Sequence, residues 1–146
     1  DQNVYESIVL PNEPLVMLMQ RAHPCGCKED VIRLEELKDE QLIVPLRWKT
    51  IFVTQCRKLG FEPNIVCKTS QWNLLADMVL QRMGIALLPQ YYTNMLDAQL
   101  FAAIPLQQPD IRWHLFMALK KNYAISPAVQ AWIKIMHQHF PHQRPD

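Results

Sequence analysis

Glycine is scarce in this chain of 146 residues, with three glycines against 11 prolines. A glycine-rich loop that cradles phosphate needs several glycines close together, because its backbone must approach the anion closely. The sequence therefore excludes such a loop. No serine lies in a Gly-x-Ser-x-Gly segment, and no cysteine–histidine pair has a recognisable catalytic setting, so we expect no catalytic residues.

Long runs of one kind of residue are also missing. Lysine and arginine number 15 against 14 aspartate and glutamate, without a long basic run, which argues against a domain that grips nucleic acid itself. The apolar runs are too short to cross a bilayer, and the polar N-terminal segment is unlike a signal peptide. We therefore expect a cytoplasmic protein with no membrane contact.

What is present is typical of one soluble globular domain. Hydrophobic residues make up 49% of the chain and charged residues 20%, and 146 residues can build a core unaided. Four cysteines in such a chain do not indicate a disulfide scaffold. The chain does not begin with methionine, which suggests a piece of a longer protein.

The hydrophobic pattern alternates between strands and helices, with a loop at residues 23–30. Strands are predicted at residues 5–10, 15–19, 42–45, 64–68, 85–88, 100–104 and 111–119. Helices are predicted at residues 34–38, 49–59, 71–83, 91–96 and 127–140, with Ser70 and Ser126 as N-caps. This order predicts an α/β fold with a mixed, mostly parallel sheet flanked by helices.

Four segments occur in an order that resembles one known family. They are Glu13-Pro-Leu-Val-Met-Leu-Met followed by His23-Pro24, Leu34-Glu-Glu-Leu-Lys-Asp-Glu-Gln-Leu-Ile-Val, the stretch from Cys67 to Met83-Gly-Ile-Ala-Leu-Leu-Pro, and Ser126-Pro-Ala-Val-Gln-Ala-Trp-Ile. Together they cover about residues 10–140 and resemble the effector-binding domain of LysR-type transcriptional regulators.

The resemblance implies a fold of the type II periplasmic-binding-protein kind. It places the second regulatory lobe at about residues 11–120. A C-terminal helix at 121–146 would pack on a first lobe that is missing, and the chain would cross between lobes near 10–14 and 119–123. The winged helix-turn-helix domain would be absent, so DNA would be bound only through that missing part. A small effector in the cleft between lobes would shift the arrangement of the attached DNA-binding domains.

The strongest candidate site is formed by Thr69, Ser70, Gln71 and Trp72. They lie where a strand is predicted to end and a helix to begin, which offers free N–H groups, a positive helix dipole and a hydroxyl to an organic anion. The resemblance also implies effector contact at this turn. The alternative is that Ser70 only caps the helix.

Two further groups are predicted to lie on the same rim. Arg47 and Trp48 follow another buried strand, and a cation beside an aromatic wall suits an organic anion. Met19 and Arg21 lie at the end of the strand at 15–19. The alternative for the first group is a solvated turn with Trp48 half-buried.

The cysteines raise two alternatives to effector binding. Cys25 and Cys27 lie in a loop beside Lys28, so they are candidates for redox sensing, whereas Cys56 and Cys67 read as core residues. His23 with these two loop cysteines resembles the start of a zinc site, but no second pair at matching spacing follows, so no metal or cofactor is expected.

The last predicted helix carries an apolar stripe that needs a partner surface. The stripe consists of Val129, Trp132, Ile133, Met136 and Phe140. We expect self-association of the chain through it. Two other function classes remain open at this point: a fragment of an exported solute-binding protein, and an enzyme that closes two lobes over its substrate.

Overall fold

The computed structural model describes residues 4–10, 13–27, 30–108, 111 and 115–140. The strands are β1 (Tyr5–Val9), β2 (Leu15–Gln20), β3 (Gln41–Pro45), β4 (Asn64–Thr69), β5 (Ile85–Pro89), β6 (Phe101–Pro105) and β7 (Phe116–Lys120). The α-helices are α1 (Leu46–Lys58), α2 (Asn73–Leu80) and α3 (Pro127–His139). Short 3-10 helices span Pro24–Cys27, Leu34–Leu37 and Gln90–Met95.

The chain divides into two compact units, Asp1–Asn12 with His114–Asp146, and Glu13–Trp113. The second division precedes β7, because β7 pairs with β1 over its whole length, from Tyr5 opposite Lys120 to Val9 opposite Phe116. The lobe boundaries and the crossings near 10–14 and 119–123 remain predictions.

The Glu13–Trp113 unit is built on a five-stranded sheet in the order β4-β3-β5-β2-β6. Strand β3 is parallel to β4 and β5, whereas β2 is antiparallel to β5 and β6. The mixed α/β fold is confirmed, but the expectation of a mostly parallel sheet is wrong, because two of these four pairs are antiparallel. A strand covered on both faces reads as a continuous apolar run whatever its direction, so the sequence pattern could not reveal this.

Both faces of this sheet are covered. On β2, Leu15 and Met17 belong to the cluster that contains Phe52 of α1. Their neighbour Val16 belongs to a second cluster, which contains Leu75 of α2. Because successive side chains of a strand point to opposite faces, this two-sided burial explains why the predicted strand is apolar at every position.

Gly84 brings β5 against β3. Its backbone has φ +147°, and a Cβ atom at this position would lie 2.3 Å from the carbonyl oxygen of Gln41. Only glycine fits such a conformation and such a close approach to backbone. The glycine of the Met83-Gly-Ile-Ala-Leu-Leu-Pro segment therefore lets β5 enter the sheet beside β3.

The other unit contains the β1–β7 ribbon and α3. The predicted start of α3 is confirmed, because the Ser126 side chain accepts a hydrogen bond from the Val129 N–H at 3.4 Å and Pro127 is the first helical residue. The strand predicted from residue 111 begins only at Phe116, and Arg112, Trp113 and His114 lie outside the described residues. Among the described helices, none is long and apolar enough to span a membrane.

Candidate functional site

Three parallel strands end along one side of the sheet of the Glu13–Trp113 unit, which we call the carboxyl edge. Strands β4, β3 and β5 end there at Thr69, Pro45 and Pro89. Helix α1 follows β3 at once, α2 follows β4 after a three-residue turn, and the Gln90–Met95 helix follows β5 directly. Ligands bind at such strand-to-helix connections in open α/β sheets.

Each of the three connections contributes one aromatic side chain to a continuous row. Trp48 and Trp72 have ring centroids 5.3 Å apart, and Trp72 stacks on Tyr92 with centroids 5.1 Å apart and an interplanar angle of 16°. Trp48 is buried and the other two are half-buried. This aromatic row (Trp48, Trp72 and Tyr92) forms an apolar wall whose outer part is open to solvent.

Polar groups lie around the aromatic row. The Arg47 guanidinium carbon is 5.8 Å from the centre of the Trp48 ring, and the Arg47 residue is exposed. The Thr69 hydroxyl accepts a hydrogen bond from the Gln71 N–H at 3.0 Å, which orders the turn before α2. Ser70 and Gln71 are both exposed in this turn. The structure thus brings together the two groups, Thr69–Trp72 and Arg47–Trp48, that the sequence predicted on one rim.

The N-termini of α1 and α2 also lie at this edge. Their N-cap residues are Pro45 and Trp72, and neither provides a side-chain cap hydrogen bond. The predicted Ser70 cap is therefore wrong: α2 begins at Asn73, and Ser70 lies two residues before the cap position at Trp72. A helix N-terminus without a side-chain cap presents N–H groups and a positive dipole end that favour an anion.

Glu13 illustrates this preference within the chain. The Tyr91 N–H donates a hydrogen bond to the Glu13 carboxylate, and the Gln90 N–H donates to the Pro14 carbonyl at 2.9 Å. An intramolecular carboxylate thus already binds the N-terminus of the helix after β5. The carboxyl edge accommodates one negative charge and keeps two other helix N-termini beside the aromatic row.

Met19 and Arg21 do not belong to this edge, which corrects the prediction that placed them there. Strand β2 is antiparallel to β5, with Leu15 opposite Pro89, so the end of β2 lies at the far side of the sheet. Met19 is buried there beside a cleft of about 680 Å³, while Arg21 is exposed. The direction of β2 decides at which edge Met19 and Arg21 lie, and the apolar run at residues 15–19 carries no information on that direction.

Tyr92 belongs to this candidate site and was not predicted from the sequence. It lies in the Gln90–Met95 helix directly after the strand end at Pro89, as Trp48 and Trp72 follow the ends of β3 and β4. The available signal was an aromatic residue within three positions of each strand end. That signal becomes specific only when the three strands are known to be parallel neighbours.

All four cysteines are described, and none forms a disulfide. Cys56 is buried in the core, which confirms it as a core residue, whereas Cys67 is half-buried and packs against the core cluster on the α2 side of the sheet. Burial, followed by the nearby Glu62 carboxylate, raises the pKa of the Cys56 thiol to about 11. Cys25 is half-buried and Cys27 exposed, and redox sensing by these two remains a prediction.

A family model described as the LysR substrate-binding domain matches residues 1–141. The chain belongs to this family. YwbI of Bacillus subtilis (strain 168), described as an uncharacterised HTH-type transcriptional regulator, is 33% identical over 140 residues. That match covers 92% of this chain and 45% of YwbI, so the chain spans less than half the length of this LysR-family relative.

Solved structures confirm the fold of this LysR-family chain. The effector-binding domain of QuiR in complex with shikimate superposes with a TM-score of 0.75 at 20% identity, covering 96% of this chain and 67% of that one. The BenM effector-binding domain with benzoate gives 0.74 at 21% identity, with coverage of 97% and 67%. The predicted resemblance to LysR regulators and the periplasmic-binding-protein-like fold are both confirmed.

Proposed function

We propose that this chain is the effector-sensing part of a LysR-type transcriptional regulator and that it binds a small organic anion at the carboxyl edge. The observation that carries this proposal is the aromatic row beside two helix N-termini without side-chain caps. An apolar wall with a few convergent polar groups is the usual composition of a small-molecule site.

The chemistry of the edge favours a carboxylate attached to a ring. A flat ring can stack on the aromatic row, while the carboxylate accepts hydrogen bonds from helix N–H groups, from Arg47 or from the Ser70–Gln71 turn. Shikimate, bound by QuiR, and benzoate, bound by BenM, both combine a six-membered ring with a carboxylate. These two relatives support the same ligand class here.

The regulatory mechanism would be a shift in population. An effector that binds one arrangement of the sensor more tightly than another favours that arrangement, by no more than the difference in affinity. In the full-length protein this changes the spacing of attached DNA-binding domains, and DNA is bound only by those domains. No residue has a catalytic role in this mechanism. We place the regulator in the cytoplasm, because its relatives are bacterial transcriptional regulators, which act on DNA.

The test measures benzoate and shikimate binding to the full-length protein by thermal shift and calorimetry. We expect Arg47→Gln to weaken carboxylate binding about 10- to 100-fold, because a hydrogen bond to a charged group contributes about 1.5–3 kcal/mol. Joint replacement of Ser70 and Gln71 by alanine should also lower affinity. Arg21→Gln is the matched control, since Arg21 is an exposed arginine at the opposite edge.

Two outcomes would overturn the site assignment. One is an affinity that Arg47→Gln leaves unchanged; the other is an equal loss in the Arg21→Gln control. If no organic carboxylate shifts the melting temperature of the wild-type protein, the proposed ligand class is wrong.

We also propose self-association through α3. Trp132 is 50% exposed and Val129 37% exposed, while Ile133, Met136 and Phe140 are half-buried. Trp132→Glu should weaken assembly in a sedimentation series. A wild-type protein that stays monomeric at every concentration would contradict this proposal.

A further inference from the structure

The edge of the sheet opposite the carboxyl edge holds a group of side chains that could act as metal ligands. His23, Cys25 and Glu40 each offer one ligand atom, and the three atoms lie within 4.8 Å of one another. All three residues are half-buried. We propose that this His23–Cys25–Glu40 cluster binds a divalent transition-metal ion, with Zn²⁺ as the best match to one nitrogen, one sulfur and one oxygen ligand.

The distance between the imidazole and the carboxylate fits a shared metal ion. His23 Nε2 lies 3.4 Å from Glu40 Oε2, which is longer than an ordinary N–H···O hydrogen bond. Two ligands of a tetrahedral zinc ion, each about 2.0–2.2 Å from the metal, are separated by about 3.3–3.5 Å. These two atoms are thus already spaced as zinc ligands, and Cys25 Sγ lies within 4.8 Å of both residues' ligand atoms.

A tight turn fixes the first two ligands beside the end of β2. The His23 N–H donates to the Gln20 carbonyl at 2.9 Å, and the Gly26 N–H donates to the His23 carbonyl at 2.7 Å. A Cβ atom at Gly26 would lie 3.0 Å from the Arg21 carbonyl oxygen, so this position in the turn favours glycine. The third ligand, Glu40, directly precedes β3, and the metal would therefore join two separate segments.

Charge and protons balance in the bound state. Cys25 loses its thiol proton to solvent, Glu40 is ionised and His23 is neutral, so the three ligands together neutralise the two charges of Zn²⁺. The Cys25 N–H donates to His23 Nδ1 at 3.2 Å. Coordination through Nε2 places the ring proton on Nδ1 and ends this hydrogen bond. Because this hydrogen bond is lost when the ion binds, we expect a modest affinity and an ion that exchanges with solvent.

Access for the ion is provided by the cleft of about 680 Å³, which His23 and Glu40 line together with Gln41 and Arg82. Three protein ligands leave a fourth position for water, as in zinc sites that exchange or react. A zinc site starting at His23 was not expected from the sequence, because no second cysteine or histidine pair follows at matching spacing. The missing ligand is a carboxylate that the fold brings from a different segment.

The test titrates Co²⁺, as a spectroscopic substitute for Zn²⁺, into the full-length protein after treatment with a chelator. We expect a thiolate-to-cobalt charge-transfer band and intense visible bands typical of tetrahedral cobalt, with competition by Zn²⁺. Cys25→Ser should remove the charge-transfer band, and Glu40→Gln should lower affinity at least about tenfold. Cys27→Ser is the matched control, because Cys27 is an exposed cysteine of the same turn.

The absence of a charge-transfer band in the wild-type protein would overturn the proposal. So would a band that Cys27→Ser removes and Cys25→Ser retains, or an affinity that Glu40→Gln leaves unchanged. Far-UV circular dichroism of each metal-free variant checks its folding, and the Glu40→Gln result decides the question if Cys25→Ser does not fold. None of these variants touches the carboxyl edge, so the outcome is independent of the proposed effector site.

Discussion

Replacing Gly84 with alanine should destabilise the protein far more than replacing Gly60 with alanine. Both glycines have positive φ, +147° and +84°, so alanine is strained at either position. They differ in space: nothing lies within 4 Å of a Cβ at Gly60, whereas a Cβ at Gly84 meets the Gln41 carbonyl oxygen at 2.3 Å and its carbon at 2.8 Å. Comparing the two variants therefore separates conformational strain from steric overlap.

The magnitudes follow from these two causes. At Gly60 only the strain applies, about 1–2 kcal/mol for an L-residue in this region. At Gly84 a strain of about 1–3 kcal/mol adds to an overlap cost of about 1–3 kcal/mol. The overlap is with main chain, so no flexible side chain can yield, and separating Gly84 from Gln41 would disturb the pairing of β5 with β3. Gly84→Ala should therefore cost about 2–6 kcal/mol, a large share of the stability of a typical domain.

Urea denaturation followed by far-UV circular dichroism measures both free energies of unfolding. We expect the Gly84→Ala midpoint to fall well below that of Gly60→Ala, or the variant to be unfolded without denaturant. Equal destabilisation by the two substitutions would refute the reasoning, because it would show that the approach to Gln41 contributes nothing. A Gly84→Ala protein as stable as the wild type would refute the placement of β5 beside β3.

Two further predictions concern titratable groups. Burial raises the Cys56 pKa from 9.0 to about 11, so between pH 9 and 11 the unfolded chain loses this proton before the folded protein does. The free energy of unfolding should therefore fall as pH rises through this range, and Cys56→Ala should flatten that part of the pH profile. A slope that Cys56→Ala leaves unchanged would contradict this prediction. The Arg57 guanidinium donates to the exposed Glu62 carboxylate at 2.7 and 2.9 Å and holds the Glu62 pKa below its ordinary value. The ion pair therefore stabilises the folded protein slightly at neutral pH, and this stabilisation is lost as pH falls through the lowered pKa. Arg57→Gln should return the Glu62 titration, followed by NMR, to its ordinary range; an identical titration in the variant would show that the pair has no effect.

Local sequence signals predicted the elements well where short-range physics decides them. Ser126 followed by proline marks the start of α3, and the apolar run at residues 15–19 marks β2. The prediction of Ser70 as the N-cap failed because a hydroxyl residue can lie at several positions near a helix start. The ordered turn from Thr69 to Trp72 delays the start of α2 to Asn73. Hydroxyl type alone does not fix which residue becomes the cap.

The composition of the sites depended on topology, which the sequence left open. The direction of β2 decided that Arg21 lies away from Arg47, and periodicity does not encode direction. Tyr92 joined the aromatic row because β5 is parallel to β3, and Glu40 met His23 because the end of β2 and the start of β3 lie at the same edge. Sites formed by residues distant in sequence can be predicted only when the order and direction of the strands are known.

The aromatic row also makes the carboxyl edge an optical reporter. Two of the four tryptophans of the chain lie in it, in contact with each other, and Tyr92 stacks directly on one of them. A molecule that settles against these rings changes the polarity around both indoles at once and alters energy transfer from the tyrosine. Emission from the unlabelled protein can therefore follow occupancy of this edge in real time, with a Trp132→Phe variant to reduce the background.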